Sequence, residues 1–453
     1  MLQVQNKSKP GTLDPGFGVD GTVSLPLAGI VGSIPAAIHA LPENKTLVAI
    51  RALRPENTPA QLVRLNVDGT KDKTFGDGGL VKVLLQGGNL FLPASIHPLA
   101  DGRWLLAGSA LRETAEGQVR DLAVVRLDQN GKMDGTFGRG GVVQISVEGL
   151  LGTQAGKDAR FVSRRNDEKT DEKTDEKFTT TPDFLVFPGS AQLDGKIVLV
   201  STLYFSPASQ RGVVLRLEID GSFDLSLAGK GYLFVDLPGF TGASNQAAGV
   251  AVEPDGSVLV CGEFDHPERM AAYVIRYDRF GAVDKTFGVS KNGLVIIADD
   301  TRLPMLFAMA LKPDGGIVAV GGTLGYLDVS GVGLIVVLTT DGRFNSDVND
   351  GRPVFSDVLG YHRWHRCLLQ SDGKIIVSGQ GISPVFNNTA TVAARFSPDG
   401  RKDQAFANDG LVVIEDEGGY GSDQDITLRA DNRIVLGCTA GSPIRGAVMC
   451  FFR

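Results

Sequence analysis

The chain is poor in the residues that disulfide frameworks and metal centres require, with 4 cysteines and 5 histidines among 453 residues. Cys261, Cys367, Cys438 and Cys450 form no C-x-x-C pair, and each lies in an apolar run. This pattern excludes a disulfide-built scaffold and predicts buried free thiols in a reducing compartment. The sequence also lacks H-E-x-x-H, G-x-S-x-G and a G-x-G-x-x-G motif between a strand and a helix. We therefore expect no catalytic residue, metal or cofactor.

An excess of positive charge and long apolar runs are lacking as well. The net charge is −7 and the sequence pI is about 5.4, which excludes the basic footprint of a nucleic-acid-binding protein. No run of 18 apolar residues is present, so the sequence predicts no membrane-spanning helix. The first residues lack the apolar core of a signal peptide, and we expect a protein that is cytoplasmic or exported without a cleaved signal peptide.

Glycine is abundant, with 58 residues, and much of it belongs to an internal repeat. The text VDGTKDKTFGDGGLVKV returns along the chain as QNGKMDGTFGRGGVVQI, RFGAVDKTFGVSKNGLVII and PDGRKDQAFANDGLVVI. Seven copies are recognisable, two of them degenerate, and the spacings between their central residues are 58, 62, 90, 60, 61 and 58. The central residues are Phe17, Phe75, Phe137, Leu227, Phe287, Val348 and Phe406.

Four short apolar runs occur in each repeat, and Asp-Gly turns separate several of them. We name these predicted strands a, b, c and d, with d directly after the F-G motif. Four strands in each of seven units predict an all-β, seven-bladed β-propeller of antiparallel strands. The chain starts with a d strand and ends with a, b and c strands. These are predicted to pair and to close the ring.

The recurring PDG turn before a strand ending in glycine, and the Arg followed by D-x-x-F-G-x-x-G, resemble the bacterial delta-60 repeat. The resemblance covers residues 11–453 and implies a β-propeller-like fold, without a settled activity. We expect a tail at residues 1–10 and a single propeller domain over 11–453. Residues 151–183 form a charged, mobile insertion between blades in this prediction, and DEKTDEKTDEK lies within it. An alternative is that this segment becomes ordered against a partner.

An arginine in five of the c strands is followed eight residues later by an aspartate. In the fifth interval both charges are lost together, with Val337 and Asn345 in their places. An unpaired buried charge is destabilising, so the joint loss predicts structural ion pairs rather than a ring of ligand sites. The pairs are Arg64 and Asp72, Arg126 and Asp134, Arg216 and Asp224, Arg276 and Asp284, and Arg395 and Asp403.

The b–c and d–a connections vary between copies, whereas the a–b and c–d connections repeat. We call the face with the variable connections the irregular face and the opposite one the regular face. Because function concentrates on variable loops above a rigid scaffold, the irregular face is the expected binding face. YHRWHR deviates most from the other copies, and Trp, Tyr and Arg dominate binding hot spots. The candidate binding residues are Tyr361, His362, Arg363, Trp364, His365, Arg366, His266 and Tyr326.

These patterns predict a non-catalytic binding or scaffold propeller that is monomeric and recognises another protein through the irregular face and the channel mouth. No nucleic-acid partner is expected. Three alternatives remain open. YHRWHR could be a structural plug of the channel. The protein could be an enzyme with a channel-mouth site near His362 and His365, or a lectin-like carbohydrate-binding propeller.

Overall fold

Short apolar segments separated by tight turns pair into seven antiparallel sheets. The structure is a computed structural model, and it describes residues 9–53, 58–114, 117–162, 188–206, 209–325, 331–415, 421–441 and 443–453. In chain order the strands are β1 Thr22–Ser24; β2 Ile34–Ala40, β3 Thr46–Arg51, β4 Ala60–Leu65, β5 Leu80–Val83; β6 Leu90–Pro98, β7 Trp104–Thr114, β8 Gly117–Leu127, β9 Val142–Ile145; β10 Arg160–Phe161, β11 Gly189–Leu193, β12 Lys196–Ser206, β13 Ser209–Leu217, β14 Tyr232–Phe234; β15 Asn245–Val252, β16 Val258–Asp265, β17 Met270–Tyr277, β18 Leu294–Ile297; β19 Arg302–Leu311, β20 Ile317–Gly325, β21 Gly333–Leu338, β22 Val354–Ser356; β23 His362–Leu369, β24 Ile375–Ile382, β25 Thr389–Phe396, β26 Leu411–Ile414; and β27 Ser422–Leu428, β28 Ile434–Ala440, β29 Arg445–Phe451.

The seven sheets are the blades of a propeller. Blades 1 to 6 are β2–β5, β6–β9, β10–β14, β15–β18, β19–β22 and β23–β26, and blade 7 has the strand order β27-β28-β29-β1. In blade 7, Thr22 to Ser24 of the N-terminal strand pair with Met449 to Ala447. The predicted seven-bladed fold and its closure by both chain ends are confirmed.

Apolar side chains fill the spaces between neighbouring blades. The buried hydrophobic residues form seven clusters, and each cluster combines the facing sides of two adjacent sheets. The central residue of every repeat motif is part of this core: the five Phe residues are at most 1% exposed, Leu227 is 0% exposed and Val348 is 3% exposed. The repeated residue therefore fills the inter-blade space, with smaller apolar side chains in the degenerate copies.

Blade 3 has a divided inner strand, because both β10 and β11 pair with β12. A short helix, α1 (Val147–Leu151), precedes β10, and Leu150, Leu151 and Phe161 are buried between blades 2 and 3. Within segment 151–183, strand β10 therefore pairs with β12 of blade 3, and Leu151 and Phe161 pack between blades 2 and 3. Residues 163–183, including DEKTDEKTDEK, and residues 1–8 of the expected tail lie outside the described residues.

A few 3₁₀ turns complete the secondary structure, at Pro42–Asn44, Gln86–Gly88, Gly152–Gln154 and Asn349–Gly351. Over the part of the chain that the structure describes, no helix has the length and apolar character for crossing a membrane. Because the strands of a blade alternate in direction, the a–b and c–d connections lie on the regular face and the b–c and d–a connections on the irregular face.

Candidate functional site: the central channel

The inner strands of the seven blades surround a cavity of about 550 Å³, which we call the channel cavity. Its walls include the ends of strands b, at Arg51, Glu263 and Thr439, and the starts of strands a, at Ile34 and Ser422. Strands b end and strands a begin at the irregular face, so the cavity lies in the half of the channel nearer that face.

A β-bulge in six of the inner strands aims one side chain into the channel cavity. The pairing register slips by one residue at the same place in each of these strands, and the extra residue lines the cavity. Bulges commonly redirect a side chain in this way. The bulged residues are Ala36, Ala94, Ala248, Phe307, His365 and Gln424, in blades 1, 2, 4, 5, 6 and 7.

The repeated glycine of strand b makes room for this bulge. A Cβ atom at Gly108, Gly262, Gly321 or Gly379 would lie 1.8–2.0 Å from the carbonyl oxygen of the residue two positions before the bulged residue of strand a. Such an approach is possible only for glycine. The recurring glycine thus marks the bulge in blades 2, 4, 5 and 6, whereas blade 1 has Ile50 and blade 7 has Cys438 at the same position of strand b. The bulged residue is alanine in blades 1, 2 and 4 and large or polar in blades 5, 6 and 7.

His365 is held in the channel wall by a buried carboxylate. Its Nδ1 lies 2.7 Å from Oδ1 of Asp423, and the Ser378 hydroxyl donates to Oδ2 of Asp423 at 3.0 Å. Burial alone would raise the pKa of Asp423, but His365, Arg366 and Ser378 outweigh it and lower the pKa. The imidazole also packs against Phe307, with ring centroids 5.7 Å apart.

Beside this pair, Asp425 joins the inner strands of blades 7 and 1. The Ile38 amide donates to Oδ2 of Asp425 at 2.8 Å, and Nε of Arg366 lies 3.6 Å from Oδ1. Burial raises the pKa of Asp425 to about 6, against the opposing effect of Arg366. Arg51, Glu263 and Arg363 also line the channel cavity. Its charged groups therefore come from blades 1, 4, 6 and 7.

The structure divides YHRWHR between the channel and the core. Arg363, His365 and Arg366 line the channel cavity, and Tyr361 is half-buried with its ring 5.1 Å from the Arg363 guanidinium carbon. His362 and Trp364 are both 0% exposed and lie between blades 5 and 6. Both residues were expected at the channel mouth, and the structure instead places them in the core. Trp364 therefore neither fills the channel nor lies on the binding surface.

Hydrogen bonds fix both buried rings. The Trp364 Nε1–H donates to the Ser356 hydroxyl at 2.8 Å. His362 Nε2 accepts from the Gly333 amide at 3.1 Å, and Nδ1 lies 2.8 Å from the Leu359 carbonyl oxygen. Burial lowers the pKa of His362, which favours this neutral form. These two side chains therefore act as structural links between blades 5 and 6.

The other two candidate residues lie elsewhere. His266 is half-buried against Phe240 and Phe264, with ring centroids 5.1 and 5.7 Å away, and it does not line the channel cavity. Tyr326 is outside the described residues. Among the described residues no group of three or more His, Cys, Asp and Glu side chains is arranged to hold a metal ion.

On the regular face, each of the five predicted arginine–aspartate pairs is an ion pair with an Nε–Oδ2 distance of 2.7–2.8 Å. In four blades a second cation at the start of strand b reaches the same oxygen: Lys45, Arg103, Lys196 and Lys374. Blade 7 has Cys450 in the arginine position, and there Arg433 pairs with Asp14 at 2.8 Å. The carboxylate therefore keeps a cation even where the predicted arginine is absent.

The same face joins each blade to the next. At six of the seven junctions the residue after the central Phe, Leu or Val donates its amide to the c–d turn or motif of the following blade, as from Gly76 to the Asn130 carbonyl oxygen at 3.2 Å. Within the described residues, no such bond joins blade 5 to blade 6. That junction also lacks the charged pair and contains Trp364 and His362, which explains why this strand departs from the other copies.

Comparison with known sequences agrees with the repeats. A family model described as "Domain of unknown function (DUF5122) beta-propeller" matches residues 99–137, 192–227 and 370–406. These three segments are similar to the DUF5122 beta-propeller domain. Each matched segment runs from an a–b turn to the central residue of a motif, in blades 2, 3 and 6. The narrower assignment to the delta-60 repeat stays a prediction. A search of curated proteins finds no match to the chain.

Several solved structures are similar over most of the chain. The polysaccharide lyase Uly1 is 11% identical with a TM-score of 0.49, covering 98% of this chain and 96% of that one. The α-L-arabinanase of Penicillium chrysogenum is 12% identical with a TM-score of 0.44, covering 83% and 97%. The virginiamycin B lyase of Staphylococcus aureus is 10% identical with a TM-score of 0.44, covering 94% and 98%. At these values the similarities carry no argument about activity.

Proposed function

We propose that this protein is a binding propeller that holds a small polar ligand in the channel cavity, which the ligand enters from the irregular face. The supporting observation is the bulge position. Blades 1, 2 and 4 have alanine there, whereas blades 5, 6 and 7 present Phe307, His365 and Gln424 to the cavity. One side of an otherwise repetitive channel is thus chemically distinct, as a single asymmetric site requires.

The size and lining of the channel cavity suit this role. Its volume of about 550 Å³ falls within the range of roughly 300–1,000 Å³ found for ligand pockets. Phe307 and Met309 supply apolar surface, and Ser95, Gln246 and Gln424 supply hydrogen-bonding groups. Such a combination binds a ligand by few directional contacts on a rigid scaffold.

Recognition of a partner protein, expected from the sequence, is our second proposal, and a different surface supports it. Val385 and Phe386 in the b–c loop of blade 6 are 68% and 41% exposed. The Ser383 hydroxyl accepts hydrogen bonds from both of their amides, at 3.1 and 2.8 Å. Exposed apolar side chains on an ordered loop are typical of interaction sites.

The first proposal is tested by thermal unfolding with a panel of small sugars, polyols, amino acids and organic acids. A ligand present at 100 times its Kd stabilises the fold by about 2.7 kcal/mol, which raises Tm by a few degrees. We expect at least one compound to raise the Tm of the wild type and none to raise that of Ala248→Phe. This variant introduces into blade 4 the side chain that Phe307 already supplies in blade 5, and it reduces the volume of the cavity that a ligand can occupy.

Val385→Ser with Phe386→Ser is the matched control, because it changes the irregular face without changing the channel. It should respond to ligand like the wild type. An equal Tm rise in wild type and Ala248→Phe would place binding outside the channel. The absence of any shift across the panel would contradict a small-ligand site for these compound classes.

A further inference from the structure

The channel cavity contains a histidine whose orientation is fixed from behind. Asp423 is 6% exposed overall, and its side chain is completely buried. One of its oxygens lies 2.7 Å from Nδ1 of His365, and the other accepts the hydrogen bond of Ser378. The imidazole itself is 17% exposed and faces the cavity at the bulge. This is the arrangement by which proteins hold a catalytic imidazole in one tautomer.

The chemistry of the pair follows from this geometry. A charged carboxylate accepts the Nδ1 proton, so proton transfer to and from a ligand falls to Nε2 of His365. Ser378 is 0% exposed and donates to Asp423, which leaves water rather than this serine as the nucleophile. Arg366, the next residue along the strand, lines the same cavity and supplies a positive charge.

We propose that the His365–Asp423 pair makes the channel a hydrolytic site for carboxylic esters of small polyhydroxylated compounds. The inference rests on the proposed function, since the ester must first bind in the channel cavity. Gln246 and Gln424 line the cavity and can hydrogen-bond the hydroxyl groups of such a ligand. Ser95 and Ser190 lie beside them, with their hydroxyl oxygens 2.5 Å apart. His365 and Arg366 are the catalytic residues, and Asp423 is a positioning residue.

The reaction balances without a further reagent. Nε2 of His365 takes one proton from a water molecule as the water oxygen adds to the ester carbonyl carbon. The negative charge on the carbonyl oxygen is stabilised by Arg366. When the carbonyl re-forms, the bond to the alcohol oxygen breaks and His365 returns the proton to that oxygen. The products are one carboxylic acid and one alcohol.

The test uses the full chain with triacetin, a small polyol ester, and with 4-nitrophenyl acetate as a chromogenic probe. We expect saturable hydrolysis by the wild type, and a loss of 100-fold or more in kcat/KM for His365→Gln. His266→Gln is the matched control, because it removes an imidazole that does not line the channel cavity, and it should keep the wild-type rate. This control separates channel catalysis from the general reactivity of imidazole with aryl esters.

Asp423→Asn separates positioning from folding. We expect kcat for triacetin to fall at least tenfold with KM changed less than threefold, and Asp423→Glu to recover part of kcat. Because unfolded protein lowers the apparent kcat without changing KM, kcat is calculated per folded protein, measured by circular dichroism. A variant that only loses stability then keeps the wild-type kcat. Equal losses of kcat in Asn and Glu variants would contradict the positioning role.

Two results distinguish a failure of this inference from a failure of the proposed function. If triacetin raises the Tm of the wild type but not of Ala248→Phe, and is not hydrolysed, the channel binds ligand and the catalytic inference is wrong. Hydrolysis that persists in His365→Gln also overturns it. If triacetin neither binds nor reacts, the inference is wrong and the polyol class is excluded from the proposed function as well.

Discussion

One aspartate in each of four blades is shared by two cations, and this arrangement governs the stability of the c–d connection. In blade 2, Oδ2 of Asp134 lies 2.8 Å from Nε of Arg126 and 2.8 Å from a terminal nitrogen of Arg103. The Arg126 guanidinium also lies 4.8 Å from the Phe137 ring centroid. Loss of either cation leaves the carboxylate with the other, so neither single loss leaves a buried charge unpaired.

We therefore expect Arg103→Ala and Arg126→Ala to be non-additive. The double variant should lose about 1–2 kcal/mol more than the sum of the single losses, because only then is Asp134 left without a cation. Denaturant unfolding of the three variants measures this coupling. Arg103→Ala with Arg276→Ala, which affects two different carboxylates, should be additive within about 0.5 kcal/mol. Additivity in the first pair would show that Asp134 does not depend on both cations.

Asp425 gives a pH-dependent prediction at the same scale. Its folded-state pKa of about 6 is above its ordinary value, so between about pH 4 and 6 the carboxyl group is protonated in the folded state and ionised in the unfolded state. The folded state therefore loses stability as the pH rises through this range. At pH 7.5 we expect Asp425→Asn to be more stable than the wild type by about 1–3 kcal/mol, and at pH 4 equally stable. Denaturant unfolding at both pH values measures this. A constant difference between the two proteins would show that Asp425 does not titrate in this range.

The residues of the channel were only partly predictable. Three residues of the charged segment YHRWHR line the channel cavity, but no periodic pattern distinguishes Trp364 in the core from His365 in the channel. A bulge puts one extra residue into the strand and reverses the alternation beyond it, so a regular strand assignment fails at this point. The repeated glycine of strand b was a usable signal in blades 2, 4, 5 and 6, because it aligns Ala94, Ala248 and Phe307 with His365.

At the scale of the elements, inner strand a of blade 3 is the least regular. It is divided into β10 and β11, which pair with β12 at Leu203 and Val200, three residues apart along that strand. Between them the chain runs from Val162 to Pro188. A short linker can therefore span the gap, which is roughly 10 Å at the rise of an extended strand.

Replacing residues 164–186 with a six-residue glycine–serine linker should change the free energy of unfolding by less than about 1 kcal/mol, because closure entropy depends weakly on loop length. Phe161→Ala, just before the segment, should lose about 3–5 kcal/mol, since this side chain is 2% exposed in the core. Denaturant unfolding compares the two. A loss in the linker variant as large as that of Phe161→Ala would show that the replaced residues pack on the propeller.

Most elements followed from local sequence signals. Alternating apolar residues bounded by Asp-Gly turns predicted the four strands of each blade, because hairpin turns and strand periodicity are local properties. Helix α1 and strand β10 were not predictable, since each is short and is stabilised by packing of Leu150, Leu151 and Phe161 between blades 2 and 3.

At the scale of the whole molecule, a three-residue strand completes the ring. Strand β1 covers the outer edge of β29, and Val23 is 5% exposed between blades 7 and 1. We expect Val23→Lys to lose about 3 kcal/mol or more, because a charge would enter this core, and to expose β29 as an unpaired edge that associates with other molecules. Denaturant unfolding and light scattering measure the two effects.

Val19→Lys is the control for this variant, because Val19 is 77% exposed a few residues earlier. It should unfold like the wild type and remain unassociated. Equal behaviour of the two lysine variants would show that the ring remains closed without the apolar contact of β1.

The backbone hydrogen bonds between blades on the regular face all have the same direction, because the amide of one blade donates to a carbonyl oxygen of the next. The donors are Gly18, Gly76, Gly138, Ala228, Gly288 and Ala407. The ring consequently has a rotational polarity. When the turn of one blade opens, the amide that loses protection from hydrogen exchange belongs to the blade before it. A local disturbance in blade 4 is therefore reported at Ala228 in blade 3. Among the described residues this hydrogen bond is missing between blades 5 and 6, so the series of donors starts in blade 6 and ends in blade 4.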